Sequence, residues 1–219
     1  MPAKHFFRLI LFFLVLIALL ITVIEIGAIQ YAYEKIGING RYVFALLLLS
    51  LLGSYVNIPV AQLPAERVLS NQEIPFFGMR YVIPEEWHRT VIAINLGGAV
   101  IPTLLSVYLL LKNGMVGRSA LAVLIVSAMV YWMARPVVGV GMVVPTFVAP
   151  LTATAAALLL AQSSAPAVAY IAGTLGTLIG ADLLNLGQIQ GLGAPIVSIG
   201  GAGTFDGIFL TGIIAVLLA

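Results

Sequence analysis

The chain has 219 residues, of which 62% are hydrophobic and 8% charged, with a mean hydropathy of +1.14. Soluble domains carry about 25% charged residues, so this composition excludes a soluble enzyme and a disordered chain. Ten basic against eight acidic residues is too even a balance for a nucleic-acid partner. The absence of cysteine removes disulfides, thiolate metal sites and a cysteine nucleophile. What remains is an all-α, polytopic membrane helix bundle, one transmembrane domain over residues 1–219, whose first partner is the lipid bilayer.

A membrane helix needs about 20 apolar residues. On that measure the chain is expected to hold about seven spans, near 6–30, 42–60, 91–111, 119–135, 137–161, 167–187 and 196–219. The first follows Lys4, His5 and Arg8 and is too long for a signal peptide, with no small-residue cleavage site after it, so it reads as an uncleaved span. Glu25, late in this span, reads as interfacial. In the second span Asn57 stands two residues before Pro59. It is expected either to cap backbone groups freed there or to line a substrate or ion path.

Residues 61–90 form the one sizeable polar interhelical segment. Between Gln62 and Thr90 lie Glu66, Arg67, Glu73, Arg80, Glu85, Glu86 and Arg89, seven of the chain's 18 charged residues. Its stretch 74–84 reads as an amphipathic loop, with a headgroup-level hairpin as the alternative. The third span carries Asn95 before Gly97 and Gly98, a second helix break with the same two readings as Asn57. Pro136, Pro145 and Pro150, with Gly139 and Gly141, interrupt the fifth apolar stretch. One kinked helix starting near Met142 after a short turn is expected there. Arg135 before it is expected to snorkel to headgroups. The loop cations divide as Lys4, Arg8, Arg67, Arg80, Arg89 and Arg135 against Lys35, Arg41, Lys112 and Arg118. That division slightly favours a cell-membrane protein with its amino terminus in the cytoplasm.

Charged groups inside a bilayer cost about 2.5–3.5 kcal/mol at a helix centre on insertion scales, so those present point to function. The only aspartates, Asp182 and Asp206, fall in the last two spans, and no lysine, arginine, histidine or glutamate follows Arg135. In the sixth span Gly173, Gly176 and Gly180 mark a close-packing face, while Asp182 and Asn185 share another face that reads as the wall of a polar cavity. In the seventh, Gly200, Gly201 and Gly203 loosen the helix just before Asp206, with Thr204 as a candidate N-cap. On regular antiparallel helices the two aspartates are offset by roughly 9 Å of rise.

With one aspartate on each of two neighbouring helices, the second after Gly201-Ala-Gly203-Thr204-Phe205, residues 145–210 resemble the presenilin and signal-peptide-peptidase class of intramembrane aspartyl proteases. The match departs from that family's Gly-x-Gly-Asp motif by two residues. Ala181 stands where the family has tyrosine, and Ala149-Pro150-Leu151 is a scrambled, misplaced echo of its Pro-Ala-Leu. The whole chain is also similar to an uncharacterised family of small prokaryotic multi-pass proteins.

The resemblance implies an aspartyl-protease-like hydrolase without metal or cofactor. Its catalytic pair would be Asp182 and Asp206, its water path Asn185 and the 200–203 break, and its substrate a transmembrane peptide. The other reading of the same residues is a small cation- or proton-coupled transporter, with Asp182, Asn185, Asp206 and nearby carbonyls as oxygen ligands and Asn57 and Asn95 along the path. An assembly or scaffold role, as a homo-oligomer, explains the glycine face but not the paired aspartates.

Overall fold

The computed structural model describes residues 22, 25–64, 74–76, 79–81, 89–137, 141–191, 196–201 and 204–219. Most of the first expected span, both histidines and the centre of the 61–90 segment lie outside them. The described chain is mostly helical. Its helices are α1 (Glu25–Lys35), α2 (Gly40–Gly53), α3 (Ile101–Asn113), α4 (Val116–Met133), α5 (Val148–Leu160), α6 (Ala165–Thr177) and α7 (Thr204–Leu218). Three helical stretches are long and apolar enough to cross a bilayer: Leu96–Asn113, Val116–Met133 and Gln162–Gln188. The pair α1–α2, bent by 115°, makes a fourth if taken as one span. Together these are the apolar helices of a multi-pass membrane protein.

The helices start where local chemistry permits. Pro102 and Pro166 occupy the first turns of α3 and α6, where the missing N–H costs no hydrogen bond. Asn39 accepts from the Arg41 N–H at the start of α2. Gly114, at φ 63°, closes α3 with its N–H on the Leu110 carbonyl. In the apolar interior, hydroxyls of Thr152 and Thr154 fold back onto carbonyls four residues earlier.

Helix α6 is the axis of the bundle. Its flanks pack against α4, α5, α7 and α3, and most of the apolar stretch Gln162–Gln188 that contains it is buried. The glycine face is used inside the molecule. A Cβ at Gly176 would sit 2.6 Å from Val126 Cβ, and one at Gly180 would sit 2.5 Å from the Ser127 carbonyl. Both contacts are with α4, so small residues let two backbones approach. Gly173 instead faces Thr211 of α7 and Ala153 of α5.

Among the described residues three small sheets accompany the helices, and beyond the hairpin offered as the alternative for 74–84 the all-α expectation did not contain them. Strands β1 (Asn57–Pro64), β4 (Arg89–Asn95) and β7 (Ile196–Ile199) form one sheet in the order β1-β4-β7. The β1–β4 pair is antiparallel and carries an irregularity between Pro59 and Ala61. The β4–β7 pair is parallel, with Ile94 against Ile199. Thus the second expected span ends at Gly53, and the third and seventh begin as strands. The ends of the 61–90 segment are strands as well, and β2 (Ile74–Phe76) pairs with β3 (Met79–Tyr81) as a hairpin within it. Instead of a helix from Met142, β5 (Arg135–Val137) and β6 (Gly141–Val143) pair, and α5 starts only at Val148. The prolines and glycines there deny a helix its donors and favour extended backbone.

Candidate functional site

Two strand-to-helix junctions lie side by side. After β4, residues Leu96–Val100 make one π-helical turn before α3. After β7, Gly200 turns at φ 68° before α7. A Cβ on Gly200 would lie 2.7 Å from Ala99 Cβ and 2.8 Å from Ala99 N, so the two glycine-rich breaks touch. Gly200 is required twice over, by its left-handed φ and by this approach.

Each junction has a buried N–H answered by a side chain. At the first, Asn95 Oδ1 accepts from Gly98 N–H at 2.8 Å. Its amide donates to the Ser54 carbonyl at 2.7 Å and to Asn57 Oδ1 at 3.0 Å. Ser198 of β7 also donates to Asn57 Oδ1. Asn95, 1% exposed, therefore ties α2, β1 and its own break together, and Asn57 links on to β7. At the second junction the acceptor comes from another helix: Asp182 Oδ2 accepts from Gly200 N–H at 2.8 Å.

Asp182 is 6% exposed and closes a π-helical turn, Leu178–Asp182, at the end of α6. Such bulges leave carbonyls without their usual partners. Asn185 supplies them: its Nδ2 donates to the Gly180 carbonyl at 2.8 Å and to that of Ala181 at 3.1 Å. Its Oδ1 accepts from Gln188. The Asn185 amide thus braces the turn that carries Asp182.

The α6–α7 register is antiparallel. Gly173 meets Thr211, and Gly212 meets Thr174 and Tyr170. Extended along α6, this register sets Asp206 level with Leu178, four residues short of Asp182, and the contact of Asp182 with Gly200 agrees. The offset of the two aspartates along the helices is therefore about 6 Å of rise, against about 9 Å for the regular helices. Asp206 falls in the first turn of α7; its side chain, with Gly203, lies outside the described residues. Gly201 is buried beside Ser198.

The structure thus groups Asp182, Gly200 and Gly201 at one junction and Asn57, Asn95 and Gly98 at its neighbour, with Ser198 as a participant the sequence did not single out. Its advance signal was its place just before the Gly200-Gly201 break. Among the described residues no three histidine, aspartate or glutamate side chains cluster as a metal site. Arg135, on β5, is exposed, as is Glu25 at the start of α1.

No curated protein and no solved structure matches the chain significantly. The pattern of one family, described as Protein of unknown function (DUF1614), does match it, over residues 51–218, from the end of α2 to the end of α7. The match takes in both junctions and both aspartates, and the chain belongs to that family.

Proposed function

We propose that the protein is an intramembrane aspartyl-protease-like hydrolase acting on transmembrane peptides. The observation that carries this reading is the buried Asp182 carboxylate held at the Gly200 break, six residues before Asp206 in the chain. Two nearby carboxylates in a low-dielectric site share one proton. Asp206, in the first turn of α7, acts as the base, favoured there by the helix dipole. Asp182 is the acid: with Oδ2 occupied by Gly200 N–H, Oδ1 carries the proton.

In the reaction, water attacks the scissile carbonyl carbon while Asp206 takes a water proton and Asp182 protonates the carbonyl oxygen. The C–N bond then breaks as Asp206 protonates the amine nitrogen. A hydroxyl of the tetrahedral diol returns a proton to Asp182, which restores the pair. The sheet beside the pair supports the reading, because hydrolysis needs an unwound substrate and open strand edges hold extended backbone. In this reading the chain sits in the cell membrane with its amino terminus inside.

The test is purified, folded protein incubated with fluorogenic transmembrane peptides across roughly pH 4 to 8. Cleavage lost in both Asp182→Ala and Asp206→Ala is expected. Cleavage that survives in both, or none at any pH, overturns the proposal.

A second reading, a proton- or cation-coupled transporter, is favoured by a different observation. The Thr177 hydroxyl is buried without a hydrogen-bond partner, as is that of Ser127 on the facing helix. Thr177 precedes Asp182 by five residues, about one π-helical turn, so the two share a line along α6. Ion or proton flux into proteoliposomes, lost in Asp182→Asn, would favour this reading over the hydrolase.

A further inference from the structure

At the end of the bundle opposite the sheet, the α1–α2 corner meets the end of α3. Lys112 Nζ donates to the Gly37 carbonyl at 2.6 Å, and Lys35 Nζ donates to the Val216 carbonyl near the end of α7 at 3.2 Å. Below this corner a cleft of about 410 Å³ opens, lined by α2 on one side and Tyr108 of α3 on the other. That volume lies within the range of about 300–1,000 Å³ typical of small-molecule sites.

The lining changes character along α2. Gly37, Ile38 and Asn39 stand at the corner end, Tyr42 comes next, and Ala45, Leu46 and Leu49 follow. From Asn39 to Leu49 the helix rises about 15 Å. The corner end carries the positive charge. Lys112 lies 5.7 Å over the Tyr108 ring, so its ammonium sits at the rim with two N–H bonds beyond the one given to Gly37. Arg41 is exposed one residue before Tyr42. Among the described residues the carboxylate at this corner is Glu34, bonded to Gln30 at 2.9 Å. Against it stand Lys35, Arg41 and Lys112.

We propose that this cleft binds one anionic glycerophospholipid, its phosphate held by Lys112 and Arg41 and one acyl chain lying along Ala45, Leu46 and Leu49. Basic groups between membrane helices select acidic headgroups. Tyr42 and Tyr108 match the level where aromatic rings meet the headgroup region. A cleft that is only greasy would accept any lipid, whereas the rim makes the selection one of charge. The site is independent of the aspartates and of any hydrolytic activity.

The experiment is native mass spectrometry of the delipidated full chain titrated with phosphatidylglycerol or phosphatidylcholine. The wild type is expected to retain one phosphatidylglycerol at least about tenfold more tightly than phosphatidylcholine. That preference is expected to vanish in Lys112→Gln/Arg41→Gln, where glutamine keeps a donor for the Gly37 carbonyl. Leu49→Trp, which fills the cleft and leaves both cations, is expected to lose the bound lipid. Arg135→Gln, at the other end of α4, is expected to behave as the wild type. Equal retention of the two lipids, or a preference unchanged in the double variant, overturns the proposal. So does retention in Leu49→Trp, which would assign the effect to diffuse surface charge, or equal competition by inorganic phosphate.

Discussion

Asp182 on the central helix accepts the backbone N–H of Gly200 at 2.8 Å, and this bond fixes the last strand-to-helix junction to the bundle axis. A carboxylate here is at once a structural acceptor and a chemical group, and the two roles separate by substitution. Asp182→Ala strands a buried N–H and is expected to cost about 1–3 kcal/mol. Asp182→Asn keeps an acceptor and is expected to unfold close to the wild type while losing peptide cleavage. Thermal unfolding in detergent beside the cleavage assay checks both.

Asn95 makes three hydrogen bonds from a site 1% exposed. Asn95→Ala removes the cap on Gly98 and leaves the Ser54 carbonyl short of a donor. A loss of about 2–3 kcal/mol is expected, read as a lowered unfolding midpoint in the same detergent. Asn57→Ala, at an exposed position, is expected to cost less than half of that.

The glycines divide by what surrounds them. Gly180→Ala drives a methyl against the Ser127 carbonyl, and Gly200→Ala combines a left-handed φ with the close Ala99 contact. Each is expected to destabilise by about 1–3 kcal/mol. Gly117, on α4, has nothing within 4 Å, and Gly117→Ala is expected to stabilise by about 0.4–1 kcal/mol. Unfolding of the three variants in parallel tests the packing of α4 against α6.

The chain has no cysteine, so a double variant Asp182→Cys/Asp206→Cys reports on one distance alone. The α6–α7 register predicts efficient crosslinking by a short bis-maleimide. Gly117→Cys/Asp206→Cys, spanning opposite ends of the bundle, is expected to give no intramolecular product. Equal yields in the two would contradict the register.

Hydropathy made the helical bundle legible, and the two aspartates stand out as the only charged residues after Arg135. The strands were hidden for a physical reason. Residues 57–64, 89–95 and 196–199 adjoin equally apolar helices, and a short apolar run has no period that separates strand from buried helix. Asn95 before Gly97-Gly98 and Gly200-Gly201 after Ile199 marked the breaks without showing what preceded them. The contact between Asp182 and Gly200 was not legible, because it depends on the π-turn at 178–182 and on which α7 residues Gly173 admits. Asn185 read as part of a polar wall, yet its amide is spent on the carbonyls of its own helix.

The parallel pairing of β4 with β7 sets a time order on assembly. A parallel pair needs a crossover, and here the crossover is α3, α4, α5 and α6 together. Val91 cannot meet Ile196 until all four have been made and inserted, and contacts so distant in sequence close late. The β1–β4 pair can form early, but Gly200 reaches Asp182 only when the final strand docks. A chain halted before β7 therefore carries Asp182 without its Gly200 anchor and without Asp206. Any role that needs Asp182 held in place waits on the docking of that strand.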